Sequence, residues 1–436
     1  VPFASPTLPL TVGLLHRIRS LFATWCLACL LSQHLLRADD GPSQATAVNL
    51  IKTSEAFSSE QQQFLLNGFG HGNRALSIEY LYIADTFALV RGGALARKVA
   101  RYLGDLEINA SLDTSKLGLW HGGEFFLHLD VVHGRSLSPK FIGDFQIYDE
   151  YEPYPRTTAF TQVTEYWFKQ TFGDRLTIKL GKQDANRDFI YPEIGAEFVH
   201  SSFSLIPTMP LPTYPNCSLG AAVFFECTER TTLRFGVYDG ASFLGQLAGA
   251  GSGFETVGKY GALQLFEVQH RFPWHKQLPS NLRLGAWYHT ASFAVPSLGL
   301  NARRRGNHGL YFSAEQMLWR ENCQTGVPQG FTAFCQYAFS PSDRNFVERY
   351  FGFGGHYRGL LPGREKDALG CGMAICKLSP SVLGVQAEGA EVAVELFYKA
   401  YVTPYLRIQP ECQFIKKPSG FQADAFLVGI RVEVAL

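Results

Sequence analysis

From Leu76 to Leu436 apolar and polar residues alternate with a period of two, in one short segment after another. In Asp105 to Asp113, Leu106, Ile108, Ala110 and Leu112 interleave with Asp105, Glu107, Asn109, Ser111 and Asp113, so every apolar side chain falls on one face of a strand. Leu282, Leu284, Ala286 and Tyr288 oppose Arg283, Gly285, Trp287 and His289 in the same way, and Leu406, Ile408, Cys412 and Phe414 oppose Arg407, Gln409, Glu411 and Gln413. The last segment is the cleanest: Phe426, Val428, Ile430, Val432, Val434 and Leu436 face one way, Arg431 and Glu433 the other. One such strand would fit any antiparallel sheet with a wet face. The chain, however, has room for about sixteen of them, an even number with the strand economy of a membrane barrel. Short connections (Phe172 to Asp174, Thr228 to Arg230, Val402 to Pro404) also take turns with long ones (Gly134 to Thr158, Ala185 to Asn216, Gly240 to Thr256, Ala294 to His308). That sorting predicts an all-β fold, a transmembrane antiparallel up-and-down β-barrel of about 16 strands.

The one compact apolar run, Leu21 to Leu31 (LFATWCLACLL), follows His16, Arg17 and Arg19 and precedes the small residue Ala38. It is too short for a spanning helix, which needs roughly 20 apolar residues. It has the layout of a cleaved export signal. Residues 1–38 therefore read as a signal peptide with an N-terminal extension and 39–75 as a periplasmic lead-in with one short helix around Phe64, Leu65 and Leu66. Residues 76–436 read as the barrel domain. A secreted chain whose strands expose a continuous apolar face needs a second sheet or lipid to cover it. In lipid an unpaired backbone amide costs several kcal/mol, so only a closed barrel would leave none. Aromatic residues near strand ends (Tyr80, Tyr82, Trp167, Phe168, Trp287, Tyr288, Trp319, Phe397, Tyr398) are expected to form the interfacial girdles.

Composition sharpens this picture. Charged residues make up only 18%, against 46% hydrophobic and 14% aromatic, a poor match to a helix-rich soluble enzyme. A formal net charge of +1 without a basic stripe excludes nucleic acid as a partner. No HExxH, paired CxxC, GxSxG or P-loop is present, which leaves no metal or nucleophile motif.

Several segments, taken in order, resemble the carbohydrate-selective porins of the OprB family. They are Asp113 to Gly123 (DTSKLGLWHGG), Leu180 to Gln183 (LGKQ), Val237 to Gly240 (VYDG), Gly285 to Thr290 (GAWYHT), Gly309 to Trp319 (GLYFSAEQMLW) and Arg344 to Gly363 (RNFVERYFGFGGHYRGLLPG). Glu395 to Tyr398 (ELFY), Gln409 to Gln413 (QPECQ) and Gly429 to Arg431 complete the series. The resemblance implies a sixteen-stranded outer-membrane barrel, permeation of sugars and no cofactor. Two features depart from it: Leu436 stands where such barrels usually present an aromatic, and seven cysteines (Cys217, Cys227, Cys323, Cys335, Cys371, Cys376, Cys412) follow the signal. An odd count in an oxidising compartment leaves at least one thiol unpaired within the chain, with Cys217 the first candidate for a link to another chain. Competing readings are a structural, disulfide-cross-linked envelope barrel and an outer-membrane barrel hydrolase; a homo-oligomer fits any of the three.

Alternation nominates the luminal face. Glu165, Trp167 and Lys169 oppose Tyr166 and Phe168; Arg175 and Lys179 oppose Leu176, Ile178 and Leu180; Arg234 opposes Leu233 and Phe235. With Arg283, Trp287, Glu395, Arg407, Glu411 and Arg431 they form a mixed-sign wall suited to small neutral sugars, since both charges hydrogen-bond hydroxyls and an aromatic face covers a pyranose ring. The segment Ala185 to Asn216 carries Pro192, Pro207, Pro210, Pro212 and Pro215, which keep it out of the ladder. It is expected either to fold into the lumen or to lie as a surface loop.

Overall fold

The computed structural model describes residues 75–152, 159–241, 251–274, 278–295, 302–321, 328–379 and 389–436. The expected signal, the helix around Phe64 and Cys323 lie outside the described residues.

Sixteen strands among the described residues form one closed meander. They are β1 (Leu76–Gly93), β2 (Val99–Asp113), β3 (Gly123–Gly134), β4 (Phe160–Phe172), β5 (Leu176–Gln183), β6 (Ser218–Thr228), β7 (Thr231–Asp239) and β8 (Ala262–Trp274). The second half comprises β9 (Leu278–Ala294), β10 (Arg303–Arg320), β11 (Gly330–Phe339), β12 (Val347–Arg358), β13 (Ala368–Leu378), β14 (Ala390–Tyr401), β15 (Leu406–Lys416) and β16 (Ala423–Ala435). Every strand pairs antiparallel with its sequence neighbours, and β1 closes on β16, with Leu81 opposite Ala435 and Ala88 opposite Val428. Closure leaves no edge of unpaired amides, which is what a sheet in hydrocarbon requires.

Burial follows the predicted parity. In β16 Phe426, Val428 and Ile430 are exposed on the outer face while Leu427, Arg431 and Glu433 are buried inside. In β4 the alternation slips once, where Thr164 bulges between His128 and Leu129 of the partner strand and joins Glu165 on the inner face. Tyr80, Tyr288 and Trp319 are exposed as girdle residues should be, but Trp167, Trp287 and Phe397 are buried inside and belong to no girdle. The expected loop from Ala294 to His308 is shorter than read, because β10 begins at Arg303 and His308 already pairs with Tyr288. Cys217 sits at the long-loop end of β6, yet it is fully buried, so it cannot be the thiol that meets another chain. The other described cysteines, Cys227, Cys335, Cys371, Cys376 and Cys412, are likewise free thiols.

The described parts of the two longest connections, residues 135–152 and 184–217, fold into the barrel rather than over it. Phe198 and Phe203, with ring centroids 4.4 Å apart, pack against Phe334 of β11 and Phe397 of β14. Gly372 of β13 makes room for them: a Cβ there would lie 2.8 and 2.9 Å from the two loop rings. The apolar core therefore sits inside the barrel, against the β11–β14 wall.

Candidate permeation pathway

A loop drawn to membrane depth has backbone amides with no ladder partner and little water, and each orphan costs free energy. Inward glutamates meet them. Glu395 on β14 accepts the amides of Val199 at 2.9 Å and His200 at 2.8 Å. Four residues earlier on the same face, Glu391 accepts those of Phe145 at 2.8 Å and Gln146 at 2.7 Å. Glu165 takes the amide of Asp184 at 3.0 Å, Glu267 on β8 that of Ile190 at 2.9 Å, and Glu315 on β10 that of Ile194 at 2.7 Å. The two loops also bond each other, Glu150 N–H donating to the Val199 carbonyl at 2.9 Å. Asp184 then caps the short helical turn Ala185–Asp188, its Oδ1 accepting from Asn186 N–H at 2.8 Å.

The sequence-nominated residues fall into three groups. Glu165, Glu395 and Arg234 face inward, but their polar atoms are taken by the loop; Arg234 donates to the Asp188 carbonyl and to Gln269. Lys179 is similarly paired, with Asp188 at 2.8 Å, and its Nζ lies 4.5 Å from the ring of Trp167, which stacks on Phe126. Arg283 lies 3.4 Å from Glu267, and Trp287 is buried beside Gly309. Arg407, Glu411 and Arg431 form a second group on β15 and β16, described below. Two residues stand apart: Lys169 is half-buried and pairs with Glu124 at 2.6 Å, and Arg175 lies exposed in the turn before β5, off the barrel wall. Parity placed Arg175 inside because the alternation runs on into the turn, where the ladder no longer orients side chains.

With the loop's aromatic rings packed on β11 and β14, one open part of the lumen lies along β14–β16 and β1–β3. Its lining includes Arg407, Arg431, Lys399 and Glu433 from the late strands and Glu79, Glu107, Asn109 and His128 from the early ones. Glu150, Tyr151, Arg187, Tyr191 and Glu197 complete it from the loops. Arg431 is the most connected of these. Its guanidinium forks onto Asp85 (2.9 and 2.8 Å), reaches Glu150 at 2.6 Å and lies 4.9 Å from the centroid of Tyr151. Arg407 pairs with Glu433 at 2.9 Å and lies over Tyr401, and Lys399 reaches the same Glu433 at 3.4 Å. Glu411 accepts from the side-chain amides of Gln413 at 3.0 Å and Gln409 at 3.2 Å. A second opening, lined by Arg230, Arg271, Glu315, His356 and Arg358, shares Glu193 and Glu197 with the first.

The loop carboxyls respond to these surroundings. Burial, reinforced by the nearby Asp144, pushes Glu152 up to about 8, and burial pushes Asp144 to about 6. Glu197 goes the other way: burial would raise it, but His356 and Arg358 (the latter at 2.9 Å) hold it at about 2. Sequence reading missed several lining residues. Lys399 and Glu433 lay on readable parities, within an alternating run or two residues from the nominated Arg431. Arg187 and Glu197 carry no periodic signal at all.

A closed sixteen-stranded meander with long loops folded into a charged lumen defines the chain as a porin of the outer-membrane type. The sequence model for the carbohydrate-selective porin, OprB family, matches residues 97–436, and the chain belongs to that family. It is similar to Porin B of Pseudomonas aeruginosa, with 25% identity over 87% of this chain and 92% of that protein. Its fold is shared by the high-pH structure of Pseudomonas putida OprB, with a TM-score of 0.71 and 22% identity over 83% of this chain and 94% of the other. The low-pH structure of the same protein aligns with a TM-score of 0.55 at 18% identity, over 88% and 99% of the two chains.

Proposed function

We propose that small neutral sugars diffuse passively through this barrel along the lumen between the infolded loops and the β14–β16 and β1–β3 wall. The observation that carries this reading is the lining itself: Arg407, Arg431, Lys399, Glu433, Glu107 and Glu197 mix both charges with the rings of Tyr151, Tyr191 and Tyr401. A sugar's hydroxyls exchange water for either kind of charged group, and its apolar ring face meets a tyrosine. Because each of these charges has a counter-charge in contact, none is presented bare to trap an ion, and weak, multiple contacts allow exit as well as entry. The barrel acts from the outer membrane, and export through the apolar run Leu21 to Leu31, with cleavage after Ala38, belongs to the same proposal. Swelling of proteoliposomes tests it. Monosaccharides and disaccharides should swell them well above protein-free controls and faster than amino acids of similar size; no swelling by any sugar would refute the reading.

A further inference from the structure

Glu391 and Glu395 lie four residues apart on the inward face of β14, and each carboxylate receives two consecutive backbone amides from a different loop. We infer that this glutamate pair is the latch that sets the size cut-off of the pore. The inference rests on the permeation reading above and goes beyond it by assigning sieving to two residues that a solute does not touch.

Both side chains are fully buried, so their charges are not offered to the pathway. What they hold is offered to it. The amides of Phe145 and Gln146 fix the irregular run that carries Glu150 and Tyr151 to the lumen, and the amides of Val199 and His200 fix the turn that carries Glu197. Two adjacent N–H groups on one carboxylate define an orientation as well as a distance, because both oxygens must be met together. The loops also hang from the wall by single amides on Glu165, Glu267 and Glu315, and their rings pack on Phe397, two residues along β14 from Glu395. Glu391 and Glu395 differ from those single supports in gripping two consecutive loop amides each, so they fix orientation as well as distance where the loops face the conducting side of the barrel. Glutamine in place of glutamate keeps one acceptor oxygen and loses the other, so it should loosen the loop partly; alanine should loosen it fully.

The test uses the full-length exported protein in proteoliposomes and planar bilayers, with Glu395→Gln, Glu395→Ala and Glu391→Gln, each checked for the heat-modifiable mobility of a folded barrel. In folded variants the ratio of trisaccharide to monosaccharide swelling rates should rise several-fold, in the order wild type, Gln, Ala, with larger fluctuations in open-channel current. A residue serving only barrel assembly would lower the folded yield and leave that ratio alone. An unchanged or lower ratio in folded variants overturns the inference, whereas wild-type protein that passes no sugar overturns the permeation reading instead. Should the variants fail to fold, hydrogen exchange on the wild-type protein decides. Slow exchange at Phe145, Gln146, Val199 and His200 is expected, and exchange as fast as in the exposed turns contradicts a latch.

Discussion

Glu152 lies buried in the infolded segment with one oxygen facing the Ser138 amide at 3.4 Å and the other without a donor. Its value is pushed from 4.5 to about 8 by burial and by Asp144. A released loop would bind that proton only below the ordinary value, while the seated loop keeps it up to about 8. Between the two the seated form holds more protons, so raising the pH favours release, by about 1.4 kcal/mol per pH unit within that window. Asp144, raised to about 6, adds to the lower part of it. Proteolytic cleavage within residues 135–152 should therefore accelerate as pH rises from 5 to 9, and Glu152→Gln should flatten the profile. A variant as pH-sensitive as the wild type would place the effect elsewhere. None of this was readable beforehand, since Glu152 sits in an aperiodic stretch where nothing in the sequence tells a buried carboxyl from a solvated one. Arg431 and Arg407, by contrast, were legible from parity alone, because a charged residue between lipid-facing neighbours can only point inward.

Elements were the most legible level. Alternation located the strands because each side chain must choose between hydrocarbon and lumen, and the choice repeats every second residue. It failed where that constraint lapses. Arg303, Arg304 and Arg305 read as loop, yet they belong to β10, whose 18 residues exceed the 9–11 needed to cross the bilayer and so carry charge beyond it. Within the span the constraint is testable: Ile430→Arg on the outer face of β16 should cost about 2 to 4 kcal/mol and reduce the heat-modifiable folded fraction. Glu411→Gln on the inner face of β15 should leave it unchanged. Equal yields for the two would contradict the assignment of faces. The cysteines test strand continuity. Cys217 and Cys227 bracket β6, roughly 33 Å apart, and Cys371 and Cys376 lie on opposite faces of β13, roughly 17 Å apart. A disulfide needs Cα atoms within about 7 Å, so peptide mapping under non-reducing conditions should find neither pair joined. Detection of either bridge in folded protein would mean the strand is not intact.

At the scale of the whole molecule, closure and strand number followed from the even count and the sorted connections. The occupancy of the lumen did not. The prolines of residues 185–216 said only that the segment was no strand. Its direction is decided by partners scattered over the barrel: Glu267, Glu315, Glu391 and Glu395 for its amides and those of the second loop, Phe334 and Phe397 for its rings. Their convergence depends on closure, which no local pattern displays. That occupancy confines the open lumen to the spaces beside the loops and turns four of the ten nominated wall charges, Glu165, Lys179, Arg234 and Glu395, into loop supports. What remains is a mixed-charge channel beside the loops, and it is expected to stay open. Current through planar bilayers containing the purified folded barrel tests this most directly. Stable open-channel steps that shrink reversibly as a permeant sugar is titrated in are expected. Bilayers that stay sealed at every concentration of folded protein would contradict the account.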